Sequence, residues 1–290
     1  MLYVTVPHQC GTVDWLALIT LAGEQLKKAQ LQIEARRNTQ DNQVLQHDLK
    51  KAREIQMSLV PRNVAVRGLQ IAIGFEPCRW IGGDYVNVLS APDGRVFLAA
   101  ADVCGKGLAA AMVATGVHSI VHASIRSGIG LGEMVGSLNQ YLLESMDRQS
   151  FVTMLGAMCD PKTGALQCVN AGHPPLLIIQ PDGLVREMPS SHCPPLGVMP
   201  LTAPVDYAQL APQELAVLFT DGLSELIDQS GKMLGIDGVK SHISDLYAAD
   251  PGIPLNDLGQ KLNAYLDEIR GPRPATDDRT FLLARRVVNA

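Results

Sequence analysis

From about Asp14 to Leu59 the chain has no proline and one glycine, Gly23, and its apolar residues recur at helical spacing. Ile19, Ala22, Leu26, Ala29 and Ile33 fall at intervals of three and four, which draws a single seam down a helix. A polar stretch from Arg36 to Gln43 interrupts the seam, which returns in a shifted register at Leu45, Leu49, Ala52, Gln56 and Leu59. The pattern predicts one long helix. It either packs as an amphipathic helix on its own domain or pairs in a coiled-coil-like dimer, and a homodimer through this helix is the expectation taken forward. Residues 1–13 are too few to form a domain alone.

Pro61 ends the helix, and short runs of strand character follow at Leu69–Phe75, Asp84–Leu89 and Arg95–Val103. The second and third are joined by Pro92-Asp93-Gly94, which is turn chemistry. Two helices are expected at Leu108–Ile125 and Gly132–Met146, then strands at Phe151–Asp160, Ala165–Asn170, Leu176–Gln180 and Leu215–Phe219. A helix at Asp257–Ile269 and a closing strand at Thr280–Val288 complete the series. Tight hairpin turns imply antiparallel pairing, and helix pairs set between hairpins imply a layered α+β architecture. That argues against a dinucleotide fold, and Gly105-Lys106-Gly107 lacks the spacing of a phosphate-binding loop.

Composition narrows the class. A chain of 290 residues, 47% hydrophobic and 18% charged, has the make-up of a globular protein. The net charge of −5, with no long basic run, gives no reason to expect nucleic acid. The six cysteines form no CxxC pair, so a zinc site is not expected, and most sit in apolar stretches as reduced thiols do. The apolar run Val13–Ala22 falls short of the roughly 20 residues that span a bilayer, and no basic segment precedes it. A cytoplasmic protein without a membrane span is the expectation.

Four aspartates each close a hydrophobic run beside a glycine or a second acid. They are Asp84 in Ile81-Gly82-Gly83-Asp84-Tyr85, Asp102 in Ala100-Ala101-Asp102-Val103-Cys104-Gly105-Lys106-Gly107, Asp221 in Leu218-Phe219-Thr220-Asp221-Gly222, and Asp277 in Thr276-Asp277-Asp278-Arg279-Thr280. Any one of them reads as a turn. Four converging on one place would repel one another unless a cation neutralised them, and hard oxygen donors suit Mg²⁺ or Mn²⁺. Other candidates fare less well. His173 is a lone histidine in a turn and suits loop ordering better than catalysis, Cys104 has no histidine near it in sequence, and Ser58, Ser190 and Ser224 lack a nucleophile-elbow context.

With these segments assembled, the chain resembles the PPM family of metal-dependent protein serine/threonine phosphatases, in particular its bacterial SpoIIE/RsbU branch. The matching stretches run in family order: Ala52-Arg53-Glu54-Ile55-Gln56 through Pro61, Gly82-Gly83-Asp84-Tyr85, Asp102 to Gly107, Phe151-Val152-Thr153-Met154, Val169 to Pro175, Pro195-Leu196-Gly197-Val198, Thr220 to Glu225, and Asp277-Asp278-Arg279-Thr280. The resemblance implies two antiparallel sheets sandwiched between helix pairs, with two Mg²⁺ or Mn²⁺ ions at one edge. It implies Asp102 as the bridging ligand, the Val103 carbonyl on the second ion, Asp221 and Asp277 on the first, and Asp84 on the second directly or through water. Asp278 is the alternative to Asp277. Asp102 and Asp221 would thereby be catalytic through water activated by the metals, and Lys106 or Arg79 would hold the substrate phosphate. The substrate implied is a phosphorylated regulatory protein of anti-sigma-factor-antagonist type. Residues 1–60 would form a regulatory, dimerising helical segment and residues 61–288 the phosphatase domain, in the partner-switching class of signalling. Two departures stand out: Asn87 occupies a position where the family often has a second acid, and Cys104 one where serine is common. A non-catalytic binding module on the same fold, or a hydrolase of small phosphorylated molecules, are the competing readings.

Overall fold

Each apolar run of alternating or continuous character becomes a strand whose two faces meet different partners. The computed structural model describes residues 15–62, 64–146, 150–188 and 192–287. Residues 1–14 and Ser190, and with them the start of the apolar run at Val13, lie outside this set, as does Val288 at the end of the expected closing strand.

The first element is α1 (Trp15–Leu59), a single unbroken helix. The polar stretch 36–43 interrupts the apolar seam but not the backbone, because its Arg, Asn, Gln and Asp residues are still acceptable in a helix without glycine or proline. The chain divides into two compact units, Met1–Lys51 and Ala52–Ala290, so α1 contributes to both. Within the first unit the seam residues Ile19, Leu26, Ile33 and Leu45 are exposed.

Among the described residues the second unit has ten strands in two five-stranded sheets. One runs β1 (Leu69–Glu76), β10 (Arg279–Arg286), β9 (Leu215–Phe219), β6 (Leu176–Ile179), β7 (Val185–Met188). The other runs β2 (Tyr85–Ser90), β3 (Val96–Val103), β4 (Val152–Cys159), β5 (Ala165–Ala171), β8 (Asp206–Gln209). All pairings are antiparallel, as the turn chemistry requires. Helices α2 (Leu108–Arg126) and α3 (Leu131–Ser145) cover the β3 sheet, and α5 (Gly235–Ala249) and α6 (Leu255–Arg270) cover the β9 sheet, with the short α4 (Asp221–Ser224) between them in sequence. The result is the α+β sandwich expected from the sequence, with β7, β8, α4 and α5 as elements that the sequence pattern left unassigned.

Three apolar clusters fill the gaps between layers, and they sort each strand's residues by parity. On β3, Phe97, Ala99, Ala101 and Val103 face α2 and α3, whereas Val96, Leu98 and Ala100 face the other sheet. On β9, Leu215, Val217 and Phe219 face α5 and α6, and Ala216 and Leu218 face inward between the sheets. Helix α2 is long and apolar enough, by length and composition, to cross a membrane. Its buried residues Ala110, Ala114, Val117, Val121 and Ile125 instead pack in the cluster that covers β3.

Candidate metal centre

The period-two alternation of four strands carries polar side chains to one edge of the inter-sheet space. Continuing the inward-facing series of β3 one step past Ala100 gives Asp102, and stepping back from Val86 and Val88 on β2 gives Asp84. The same step past Leu218 gives Thr220, and before Leu282 gives Thr280. Tyr85 pairs with Ala101 and Phe219 with Phe281, so these four positions lie at the same end of the two sheets. Asp221 and Asp277 stand just off the strands, at the start of α4 and in the loop before β10.

The local frame is tight. Thr220 Oγ1 donates to Asp84 Oδ2 at 2.8 Å, which joins the two sheets across the site. Asp278 accepts from the backbone N–H of Cys78 through Oδ1 and of Gly83 through Oδ2, both at 2.7 Å. A Cβ on Gly83 would lie 2.8 Å from the Val103 carbonyl oxygen, and one on Gly222 would lie 1.8 Å from the Asp278 carbonyl oxygen. Only glycine allows those backbones to approach so closely. Arg279, buried at the start of β10, pairs with Glu76 and Asp267 and thereby ties the Asp277-Asp278 loop to β1 and α6.

Electrostatics reflect the crowding. Burial, then the charges of Asp221, Asp277 and Asp278, push the Asp102 carboxyl up to about 7. Asp84 is raised well above the carboxylate range by burial first and by Asp102 second. Asp221 is raised by burial and by Asp277. Among the described residues one cation answers this cluster at close range: Lys106 Nζ lies 2.8 Å from Asp277 Oδ2 and also donates to the Thr276 carbonyl. The expected acids Asp84, Asp102, Asp221 and Asp277 are therefore brought together, with Val103 alongside through its contact with Gly83. Arg79 is exposed, and its carbonyl accepts from Arg53 at 3.3 Å.

Sequence reasoning missed three contributors. Cys78, Asp277 and Asp278 bring one ligand atom each within 4.8 Å of one another, which places a thiol at the rim of the acids. Burial and Asp278 push that thiol up to about 11, so it stays protonated near neutrality. The other two, Thr220 and Gln56 (whose amide pairs with the backbone of Gly82), lie in stretches that match the family but carry no role in that reading. His173 is buried, 2.8 Å from Thr153 Oγ1, while the Asn170 side chain clasps its backbone N–H and carbonyl. Burial lowers its pKa to about 3, so it is a neutral loop-ordering residue. The donor set, all carboxylate and carbonyl oxygen apart from Cys78, fits a hard divalent cation.

Comparison with known proteins shows the family and the fold. The family model for Stage II sporulation protein E matches residues 92–287, more than half of the chain. The phosphoserine phosphatase RsbP of Bacillus subtilis is 24% identical over 241 residues, covering 81% of this chain and 57% of that protein. The chain spans between 39% and 57% of the length of the curated relatives it matches. Among solved structures, the RsbU and RsbW domains of Rv1364c from Mycobacterium tuberculosis align with a TM-score of 0.68 at 26% identity, covering 80% of this chain and 62% of that one. RsbX in complex with magnesium aligns with a TM-score of 0.59 at 16% identity, covering 77% of this chain and 98% of that one.

Proposed function

The chain belongs to the Stage II sporulation protein E (SpoIIE) family, and from that premise we propose that it is a metal-dependent protein serine/threonine phosphatase in bacterial signalling. The observation that carries the reading is the convergence of Asp84, Asp102 and Asp221 with Asp277 into one partly buried cluster, in which the carboxyls of Asp84, Asp102 and Asp221 are raised above their ordinary range. Asp102, Asp221 and Asp277 would hold one Mg²⁺ or Mn²⁺ ion. Asp102 and the Val103 carbonyl would hold a second, with Asp84 beside it. Such ions supply charge neutralisation, a lowered pKa for water, and stabilisation of phosphoryl oxygens during in-line displacement.

The chain's own residues do the remaining tasks. Asp278 accepts backbone N–H groups at both oxygens and so positions the Gly82-Gly83 loop, which favours Asp277 over Asp278 as the ligand. Lys106 holds Asp277 in place, and it or the exposed Arg79 would hold the substrate phosphate. The substrate class is a phosphorylated regulatory protein of anti-sigma-factor-antagonist type, in a cytoplasmic partner-switching system. Residues 1–60 would form a regulatory segment and residues 61–288 the phosphatase domain, with a homodimer formed through α1, whose exposed apolar seam supports that pairing.

The test is release of phosphate from a phosphoserine peptide and from a phosphorylated antagonist protein, with and without Mn²⁺. Activity that needs Mn²⁺ and vanishes in Asp221→Asn supports the reading. Binding of the partner without turnover would identify a regulatory module, and turnover confined to nucleotide or sugar phosphates would identify a small-molecule hydrolase.

A further inference from the structure

The acid cluster lies at the end of the sheets where Tyr85 pairs with Ala101. At the opposite end Ser90 pairs with Val96, Val96 with Cys159 and Leu69 with Arg286. A groove of about 410 Å³ opens there, between the 65–68 loop, the start of β3, the turn joining β4 to β5, and the end of β10. That volume lies within the range of small-molecule clefts, roughly 300–1,000 Å³. Its lining includes three cations, Arg67, Lys162 and Arg286, and no acid. We propose that this groove is a binding site for a phosphate-type oxyanion, separate from the metal centre.

Arg286 anchors the site. It is only 8% exposed, and its guanidinium donates to the carbonyls of Pro161 at 3.2 Å, Leu210 at 3.3 Å and Lys162. Carbonyl dipoles satisfy hydrogen bonds but carry no net charge, so this buried cation still wants a counter-ion. Among the described residues no carboxylate lies within ion-pair distance of Arg67, Lys162 or Arg286. The acids next in sequence to the lining are engaged elsewhere. Asp93 holds Arg95 at 2.7 Å, and Asp160 accepts from the Lys162 N–H and the Thr163 hydroxyl, both at 2.9 Å. The Cys159 thiol, which feels the Arg286 charge, is pushed up to about 12 by burial and so stays neutral. A role as a turn staple accounts for the three carbonyl bonds of Arg286. It does not account for two more cations sharing one groove with it and no acid. A guanidinium has five N–H donors in a planar fork that suits phosphate oxygens, and the carbonyls take three of them.

The test is calorimetric titration of inorganic phosphate into the full chain in EDTA, with no divalent metal to hold phosphate at the acid cluster. Wild type is compared with the double variant Arg67→Ala, Lys162→Ala and with Arg286→Met. Phosphate should bind wild type, shift the backbone amide resonances of Gly68, Gly94 and Lys162, and bind the double variant about tenfold more weakly at unchanged circular dichroism. A wild type that binds no phosphate, shifts confined to the acid cluster, or a folded double variant of unchanged affinity overturns the proposal. Arg286→Met should lose binding as well; if it folds poorly, the double variant decides alone, because its two side chains are exposed. A nucleoside monophosphate titrated in parallel identifies the source of the anion. Tighter binding than phosphate assigns the apolar wall at Val66 and Val96 to an organic group, equal binding assigns the site to the free ion, and both support an anion site. Since no metal is present, the outcome is independent of the phosphatase reading.

Discussion

Asp102 gives the sharpest thermodynamic test of the acid cluster. Its carboxyl rises from the ordinary 3.8 to about 7 through burial and the charges of Asp221, Asp277 and Asp278. The folded chain therefore keeps a proton that the unfolded chain releases. Stability from this group is highest below the unfolded value and is lost as pH climbs from about 4 to about 7. At about 1.36 kcal/mol per unit, the full shift amounts to roughly 4 kcal/mol, of which about 2.5 kcal/mol develops between pH 5 and pH 8. For a chain of this size that is a fall in Tm of about 5–10 °C. The assay is thermal unfolding in EDTA at the two pH values, for wild type and Asp102→Asn. The variant, which carries no ionisable group there, is expected to lose much less over that interval and to exceed wild type at pH 8. Saturating Mn²⁺ should raise the Tm of wild type and have little effect on the variant. A wild-type Tm that is flat or rising from pH 5 to 8 in EDTA, or a variant with the same slope, would refute the reasoning.

Four further outcomes follow from the same frame. Asp277→Asn should abolish Mn²⁺-dependent phosphate release while leaving the Tm in EDTA at or above that of wild type. Asp278→Ala should instead cost about 2–4 kcal/mol in urea unfolding, because it strands the Cys78 and Gly83 N–H groups. Gly222→Ala forces a Cβ to within 1.8 Å of the Asp278 carbonyl oxygen and should lower stability by at least about 2 kcal/mol, read by the same unfolding curve. Removal of residues 1–51 should convert a dimer into a monomer by light scattering while the remaining unit keeps its circular dichroism, and an unchanged mass per particle would exclude α1 as the dimer contact.

Much of this frame is legible in the sequence because it is local. The strands that carry Asp84 and Asp102 announce themselves as apolar runs, and alternation alone places both acids on the inter-sheet face. What escaped is either weakly patterned or long-range. In α5 the buried face is only Val239, Ile243 and Tyr247, set among glycine, serine, histidine and aspartate, so its helical period is faint. In β8 the residues Asp206, Tyr207, Ala208 and Gln209 form a half-exposed sheet edge with little apolar signal. The clamps on the site cannot be read locally at all. Gln56 reaches Gly82 across 26 residues, Thr220 reaches Asp84 across 136, and Asp278 reaches Gly83 across 195.

The adjacent pair Asp277 and Asp278 shows how geometry separates residues that sequence leaves equivalent. Both are carboxylates in one loop that accept backbone N–H groups, yet only Asp277 has an oxygen held by a side chain alone. Asp277 is half-buried: its Oδ1 accepts the N–H of its neighbour Asp278 at 2.9 Å, and its Oδ2 holds the ammonium of Lys106, a partner on a flexible four-carbon stem that moves aside by side-chain rotation. Asp278 is buried and holds two backbone N–H groups, which have no other place to go unless the loop itself unfolds. Exchanging lysine for an ion at Asp277 changes one side chain. Recruiting Asp278 as the ligand would weaken the bonds that set the backbone before Asp84, and so would damage one acid of the centre in order to engage another. On the proposed function, the exchangeable carboxylate would therefore serve as the ligand and the pinned one as the frame.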